Sequence, residues 1–341
     1  MEKRNPGVFR TSCLYLLAGV GLWVVSIALA AFPGALRGMN TFFQMFLGSA
    51  LCYLPFVLLP VMLVNRKEPE MLRLNSLSLG NALRACAVAL LTVVVAEDAS
   101  VLWAGVLQRM GLNVFANPDP VPGNRRELLL LLANSAVLAP ICEEMLFRGA
   151  MLSAWEPRGG KKAVWVTAIL FAILHGSIAG LPMHLMAGVL LALLVLYTDS
   201  LYAGLIFHTV YNAGITLIAY YQSSLPTDPV QAAQARADIF AALGGQGVAA
   251  MLIEIAIFML ILFVFMRRMR RNESLKRMLK ANEGKQLPQM EYRELLRKLD
   301  DDSPVRAKSD AQPLRTSTIL VLMAGVASAI VRYIANILSM L

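Results

Sequence analysis

Long apolar runs constrain this chain more than any other feature, because they recur along almost its whole length. A transmembrane helix needs ~20 predominantly apolar residues to cross the ~30 Å hydrocarbon layer of a bilayer. Nine runs approach or exceed that length, and they lie near 11–36, 40–65, 80–108, 127–153, 162–177, 181–198, 201–221, 246–266 and 317–341. Hydrophobic residues make up 57% of the chain and charged residues only 16%, whereas soluble domains are about half apolar and about a quarter charged. The sequence therefore predicts an all-α fold, a polytopic transmembrane helical bundle of about eight to nine spans.

The distribution of basic residues predicts the orientation of this bundle. Cytoplasmic loops of membrane proteins carry an excess of Lys and Arg close to the ends of their spans. Such residues precede the first run, follow the second, and separate the fourth from the fifth; they are Lys3, Arg4 and Arg10, then Arg66, Lys67 and Arg73, then Arg158, Lys161 and Lys162. The segment 267–315 adds 14 of the 31 Lys and Arg residues, against 8 Asp and Glu. All four groups share one side if the N-terminus is cytoplasmic, and we expect an integral protein of a bacterial plasma membrane.

Other classes of protein fit the composition less well. The net charge of +9 is explained by topology, and no nucleic-acid partner is expected, since no basic surface interleaved with aromatic residues accompanies it. The first run resembles a signal peptide, but its apolar core exceeds the typical 7–15 residues, so we expect a retained helix. The four cysteines all fall within predicted spans, which is typical of buried free thiols rather than of a disulfide framework. They are Cys13, Cys52, Cys86 and Cys142.

Three zones follow one another along the chain. Residues 1–125 are predicted to form N-terminal transmembrane helices that end in a turn-rich loop over 117–124. Residues 126–221 are predicted to form a catalytic four-helix core. Residues 222–341 add an outer loop, a transmembrane helix, the basic cytoplasmic segment 267–315 and a terminal transmembrane helix.

Three polar clusters interrupt the apolar helices of the four-helix core. They are Glu143 and Glu144 with Arg148, Phe171 with His175, and His208 with Asn212. An ionisable group in hydrocarbon costs roughly 3 kcal/mol on insertion scales and marks a functional site by default. Carboxylate, imidazole and carboxamide groups together suggest the activation of water and the stabilisation of an oxyanion.

The two adjacent glutamates are expected to have different roles. Successive residues of a helix point about 100° apart, so Glu143 and Glu144 cannot share a face. Glu144 and Arg148 are four residues apart, which permits an intrahelical ion pair that neutralises both charges. We therefore assign Glu144 and Arg148 to structural support of the site. Glu143 has no local partner, and it is the free carboxylate that we expect to take a proton from water.

The chain has only three histidines, and all of them fall in the four-helix core. We expect His175 to act on water together with Glu143. His208 and Asn212 are one helical turn apart, so they project from one face, and both a neutral imidazole and a carboxamide can donate a hydrogen bond to an oxyanion. His184 lies near the start of its helix and is interpreted as a packing residue or as a support of the site.

Two chemistries are open at this point. Glu143, His175 and His208 are the ligand types of a catalytic zinc site, which keeps a fourth position for water. The one-helix signature His-Glu-x-x-His is absent, so each ligand would come from a different helix. In the metal-independent alternative, Glu143 and His175 polarise water while His208 and Asn212 form the oxyanion hole. Zinc is therefore a candidate cofactor, and the sequence does not decide between the zinc-dependent and the metal-independent mechanism.

The ordered motifs Glu-Glu-x-x-x-Arg, Phe-x-x-x-His and His-x-x-x-Asn resemble those of the CPBP (CAAX protease and bacteriocin-processing, or Abi) intramembrane proteases. This family includes type II CAAX prenyl endopeptidases and lysostaphin-resistance-like proteins. The resemblance covers about residues 126–217. It implies an endopeptidase acting on a membrane-associated protein or peptide, with Glu143 as the catalytic carboxylate, His175 orienting water, and His208 with Asn212 on the oxyanion side. The family is described both as metalloproteases and as glutamate proteases, so the resemblance leaves the metal open.

Two other functions remain as alternatives. A secondary transporter could use the glutamates and histidines as an ion or proton relay, although no second polar block repeats them elsewhere in the chain. A non-catalytic immunity or scaffold protein could keep the fold without the reaction. The sequence also leaves open whether Glu97, Asp98 and Glu254 join the site, and Glu254 is expected to face a neighbouring helix.

Overall fold

The structure, a computed structural model, describes residues 7–116, 120–226, 237–281 and 314–341. Over these ranges the chain is helical and contains no β-strand. Its long helices are α1 Val8–Ala31, α2 Thr41–Val64, α3 Leu79–Arg109, α4 Arg125–Arg158, α5 Gly160–His175, α6 Leu181–Thr198, α7 Leu201–Ser223, α8 Ile239–Ala281 and α9 Thr316–Leu338. Within the same ranges, eight of them, all except α5, are long and apolar enough to cross a membrane. The predicted all-α polytopic bundle is confirmed.

The short helix α5 differs from the span predicted over 162–177. It has 16 residues and ends at His175, because Gly176 adopts a left-handed conformation (φ 65°) and returns its N–H to the carbonyl of Ile173 at 3.2 Å. The chain then turns directly into α6. A Cβ atom on Gly188 of α6 would lie 3.0 Å from the Cα atom of Ala168, so the two helices pack closely where α6 has no side chain.

The helix α4 is not uniform. Wide π-helical turns at Ala133–Leu138 and Met145–Met151 flank the α-helical stretch Ala139–Glu144. Pro140 lies in that stretch and has no N–H to donate, which disturbs the regular hydrogen-bond ladder. Such π-helical turns are frequent at functional sites. Glu143 and Glu144 therefore end a short regular stretch between two widened ones.

Acidic residues in the run 80–108 do not interrupt α3. The helix continues for 31 residues, and Ser78 caps its start by accepting a hydrogen bond from the N–H of Asn81 at 3.3 Å. Glu97 and Asp98 lie within the helix and are half-buried. A long helix tolerates them because its other turns are apolar and pack against α7 and α8.

Arg73, one of the basic residues used to predict the orientation, is not exposed beside a span. It is buried, and it pairs with Glu156 at the end of α4, donates to the hydroxyl of Ser153 at 2.9 Å, and contacts Asp199 at 3.1 Å. Its backbone carbonyl accepts a hydrogen bond from the N–H of Leu201 at 2.8 Å. This network ties the α2–α3 loop to the α6–α7 loop. The cytoplasmic location of the N-terminus stays a prediction.

Helices from all three predicted zones pack against one another. The last helix, α9, lies along α1, where the indole N–H of Trp23 donates to the carbonyl of Ser328 at 3.1 Å. The helix α7 packs against α3, and α8 packs against α3 as well. The predicted basic segment 267–315 begins inside α8, and its part over 282–313 lies outside the described residues. All four cysteines are free thiols, and Cys142 is fully buried.

Candidate active site

A cavity of about 430 Å³ lies where α2, α4, α5, α6 and α7 meet. Its wall includes all four side chains predicted to be catalytic, together with two tyrosines and a third histidine. These residues are Glu143, His175, His208, Asn212, Tyr53, Tyr211 and His184. Three polar clusters that are up to 69 positions apart in the sequence (Glu143 to Asn212) therefore share one cavity.

Glu143 stands at the centre of this arrangement. Its Oε2 atom lies 3.9 Å from Nε2 of His175 and 3.8 Å from Nε2 of His208. Among the described residues, this buried oxygen has no hydrogen-bond partner. The other oxygen, Oε1, accepts a hydrogen bond from the hydroxyl of Tyr53. Glu143 is thus held by one oxygen and presents the other to two imidazoles.

Sequence reasoning missed Tyr53. The residue lies on α2, 90 positions before Glu143, in an apolar run where a tyrosine is unremarkable. No spacing rule connects it to the acidic pair. Only the packing of α2 against α4 brings its hydroxyl to the carboxylate, so no signal in the sequence pointed to it.

Glu144 bonds to two partners through one of its oxygens, and its buried Oε2 atom has no hydrogen-bond partner among the described residues. Its Oε1 atom lies 2.8 Å from Nη1 of Arg148 and 2.9 Å from Nδ1 of His208, and both Glu144 and Arg148 are fully buried. The predicted intrahelical ion pair is confirmed. Gly204 leaves room for the carboxylate, since a Cβ atom there would lie 2.7 Å from Oε2 of Glu144.

Phe171 explains why an aromatic residue precedes His175 by one turn. Its ring lies 4.3 Å from the guanidinium carbon of Arg148, a cation–π distance. Its centroid lies 4.5 Å from that of the His175 ring and 5.8 Å from that of the His208 ring. Phe171 therefore packs between the buried cation and both imidazoles.

The His175 ring is fixed by its own helical turn. Its Nδ1 atom lies 2.8 Å from the carbonyl oxygen of Phe171. A carbonyl only accepts hydrogen bonds, so Nδ1 carries a proton, and in the neutral ring Nε2 presents a lone pair toward Glu143. His184 stacks on the other side of this ring, with centroids 3.9 Å apart and planes inclined by 24°.

His208 and Asn212 lie on the wall formed by α7. The amide nitrogen of Asn212 donates to the carbonyl of Ser135 at 2.7 Å, which uses one of its two hydrogens. The Nδ1 atom of His208 lies 2.9 Å from Oε1 of Glu144, a carboxylate oxygen that also accepts from Arg148, so Nδ1 is the donor in that contact. With Nδ1 committed, Nε2 can donate only from a protonated imidazole. A neutral His208 with this tautomer presents a lone pair at Nε2, and the role of His208 toward an oxyanion stays a prediction.

The predicted zinc ligands converge, but their spacing is wide. Ligands about 2.0–2.2 Å from a tetrahedral zinc ion lie roughly 3.4 Å from each other, whereas Oε2 of Glu143 is 3.8 and 3.9 Å from the two imidazole nitrogens. In the part of the chain that the structure describes, no group of three or more His, Cys, Asp or Glu side chains is arranged to hold a metal ion. The residues do not fit a zinc ion as they stand.

The other acidic residues do not line this cavity. Glu97 and Asp98 lie on α3, and within the described ranges the buried Oδ2 atom of Asp98 has no hydrogen-bond partner. Glu254 is exposed on α8, so the expectation that it faces a neighbouring helix is wrong for the described chain. His184, interpreted as a packing or supporting residue, does contact the cavity.

Comparison with known proteins identifies the part of the chain that carries this site. Residues 125–214 match the family model described as type II CAAX prenyl endopeptidase Rce1-like. This segment is similar to the Rce1-like type II CAAX prenyl endopeptidases. The resemblance inferred from the three motifs is confirmed, and the Rce1-like segment runs from the start of α4 into α7. Searches of curated proteins and of solved structures return no significant match.

The Rce1-like segment covers about a quarter of the chain. It contains every predicted catalytic residue, whereas α1, α2, α3, α8 and α9 lie outside it. With eight apolar helices in the described residues, the protein is an integral membrane protein, and one segment of it is similar to a protease family.

Proposed function

We propose that the protein is an intramembrane endopeptidase that hydrolyses a peptide bond of a membrane-associated protein or peptide. One observation carries the proposal: the unpartnered Oε2 atom of Glu143 faces the Nε2 atoms of His175 and His208 across a cavity. A second support is the family match over residues 125–214. The basic residues beside the spans further suggest a bacterial plasma membrane location with the N-terminus in the cytoplasm.

Water activation is the first step of the proposed reaction. The distances of 3.8 and 3.9 Å are too long for direct hydrogen bonds, and they leave the facing lone pairs of Glu143 and His175 in need of a donor. A water molecule that donates one hydrogen to each group would satisfy both. Glu143 then takes the proton as the water oxygen attacks the scissile carbonyl carbon.

The developing oxyanion would be stabilised from the α7 wall. Oε1 of Glu144 accepts a hydrogen bond from Nδ1 of His208 at 2.9 Å and orients the ring, much as the aspartate of a serine protease triad orients its histidine. We assign two donors to the oxyanion: the Nε2–H of His208, in a ring that also carries the Nδ1 proton, and the second amide hydrogen of Asn212.

The reaction ends when the tetrahedral intermediate collapses. The C–N bond breaks, and the leaving nitrogen takes the proton that Glu143 removed from water. The products are a carboxylic acid and an amine, and Glu143 is again ionised. Tyr53 would hold the carboxylate in place through both proton transfers, because it bonds to the oxygen that does not transfer the proton.

The decisive test compares the termini of the membrane proteome in cells that produce the wild-type protein or single variants. Glu143→Gln keeps the shape of the side chain and removes the base, so we expect a loss of about 10²- to 10⁴-fold in cleavage. His175→Ala and His208→Ala should lose the same products. Glu254→Gln, the same change at an exposed intramembrane position, is the matched control and should cleave normally.

Intact cleavage in Glu143→Gln would refute the proposal. A loss of proton or solute flux with unchanged termini would support the transporter instead. Metal content of the purified protein, together with the response of cleavage to a chelator, decides between a glutamate-type and a metal-dependent enzyme.

A further inference from the structure

The last helix, α9, lies outside the Rce1-like segment, yet it carries an ionisable residue in an apolar setting. Arg332 is the only charged residue between Thr316 and Leu338. A charged side chain within a membrane span is costly and is kept where it has a defined partner. The partners of Arg332 therefore indicate what α9 does.

Arg332 and its neighbours contact the end of α5, the helix that carries His175. The Nη2 atom of Arg332 donates to the carbonyl oxygen of His175 at 3.0 Å. One residue later, the hydroxyl of Tyr333 donates to the carbonyl oxygen of Ala172 at 2.8 Å. The side-chain oxygen of Asn336 accepts a hydrogen bond from the N–H of Ile178 at 3.0 Å. Three side chains of α9 thus bind consecutive parts of one helix end.

The end of α5 needs such partners. The last four carbonyl groups of a helix have no partner within the helix, and a hydrocarbon environment offers no water to replace it. Arg332 and Tyr333 satisfy two of these four carbonyls, those of His175 and Ala172. A cation at the C-terminus of a helix is also favoured by the helix dipole.

Gly176 permits this contact. Its left-handed backbone (φ 65°) ends the helix, and a Cβ atom at this position would lie 3.0 Å from Nε of Arg332. The absence of a side chain therefore serves both the turn and the approach of the guanidinium.

We propose that α9 is a positioning element of the candidate active site, and that Arg332 and Tyr333 hold the last turn of α5 so that the His175 ring faces Glu143. The ring is bonded to its own turn through the carbonyl of Phe171, and the turn is bonded to α9. The location of Nε2, 3.9 Å from Glu143, thus depends on a helix that the family motifs do not include. The positioning of α5 by Arg332 and Tyr333 is inferred from these contacts alone, whereas its effect on cleavage rests on the proposed function.

The test measures how fast diethyl pyrocarbonate modifies each of the three histidines of the full-length protein in lipid nanodiscs, with mass spectrometry as the readout. Arg332→Met removes the donor, and we expect His175 to react roughly 10-fold faster, the factor that corresponds to one hydrogen bond from a charged group. His208 should keep its wild-type rate. Arg332→Lys, which keeps a cationic donor, should restore most of the protection.

Two further variants keep the test decisive. Tyr333→Phe removes only the hydroxyl that donates to the carbonyl of Ala172, so it should raise the modification rate of His175 by a smaller factor. If Arg332→Met does not fold, this variant alone tests whether α9 positions His175. Ile334→Ala changes a neighbouring residue of α9 that is 51% exposed and should leave all rates unchanged. An unchanged modification rate of His175 in both Arg332→Met and Tyr333→Phe would overturn the proposal. So would an equal acceleration of all three histidines, since that indicates general loosening.

Cleavage kinetics give a second, separate readout. With a peptide containing a bond identified by the comparison of termini, Arg332→Met should lower kcat with little change in KM, because the variant disturbs the position of a reacting group rather than substrate binding. If no wild-type cleavage is found, the proposed function fails, and the histidine modification rates still decide whether α9 positions His175.

Discussion

The Rce1-like segment and the helices around it contribute to the site in different ways. The segment supplies every motif residue, and Oε1 of its Glu144 accepts hydrogen bonds from both Arg148 and His208. The outer helices supply no motif residue. They hold the two groups proposed to act on water, since Tyr53 of α2 bonds to Glu143 and Arg332 of α9 bonds to the His175 carbonyl. The difference indicates that the motifs encode the groups and the surrounding bundle positions them.

The largest effect is expected from a change inside the segment. Glu144→Gln leaves Arg148 buried and without its counter-ion, which should lower the free energy of unfolding by about 3–5 kcal/mol. Reversible unfolding in mixed micelles would measure it. Glu254→Gln, the same change at an exposed position, should have little effect on stability.

A double variant shows whether the pair or the lone charge matters. Replacing Glu144 and Arg148 together by methionine removes both charges, and much of the stability should return because no uncompensated ion remains. Cleavage should stay low, since His208 has lost the carboxylate behind it. Equal destabilisation by the single and double variants would show that the segment does not depend on this ion pair as described.

A smaller effect is expected from a change outside the segment. Tyr53→Phe removes one hydrogen bond to a charged acceptor, worth about 1.5–3 kcal/mol, so cleavage should fall about 10- to 100-fold. Unfolding should change far less than in Glu144→Gln, because Glu143 keeps its place in α4. Tyr221→Phe removes a hydroxyl from a side chain that is 64% exposed and is the control. If Tyr53→Phe cleaves like wild type, the outer helices do not position the carboxylate.

Features that depend on nearby residues could be predicted from the sequence, and features that depend on contacts between distant helices could not. Apolar runs predicted the bundle, because hydrophobic length is a local property of the chain. The ion pair of Glu144 and Arg148 was predictable for a similar reason, since helical geometry fixes neighbours four residues apart. The convergence of Glu143, His175 and His208 came from motif order and was not deducible from spacing.

Tertiary contacts could not be predicted in this way. Tyr53 and Arg332 lie 90 and 157 residues from their partners, and nothing local marks either one as part of the site. The burial of Arg73 was missed because a loop arginine is normally exposed, and only the folded loops bring Glu156 and Asp199 to it. The ring nitrogen of His208 that bonds to Glu144 could likewise be known only from the folded structure.

Substitution of His184 is expected to have the smallest effect on cleavage. It tests whether the Rce1-like segment contains a functional residue outside its three motifs. The ring stacks on His175 at 3.9 Å, and an aromatic pair contributes about 0.5–1.5 kcal/mol beyond its buried area. His184→Ala should therefore lower cleavage only about 3-fold. His184→Phe keeps a stacking ring without its nitrogens and should stay close to wild type if stacking is the whole role. A loss in His184→Phe as large as that in His184→Ala would instead mean that the imidazole nitrogens act on substrate or water. The segment would then hold a reacting group outside its motifs, and the motifs would not encode all the groups of the site.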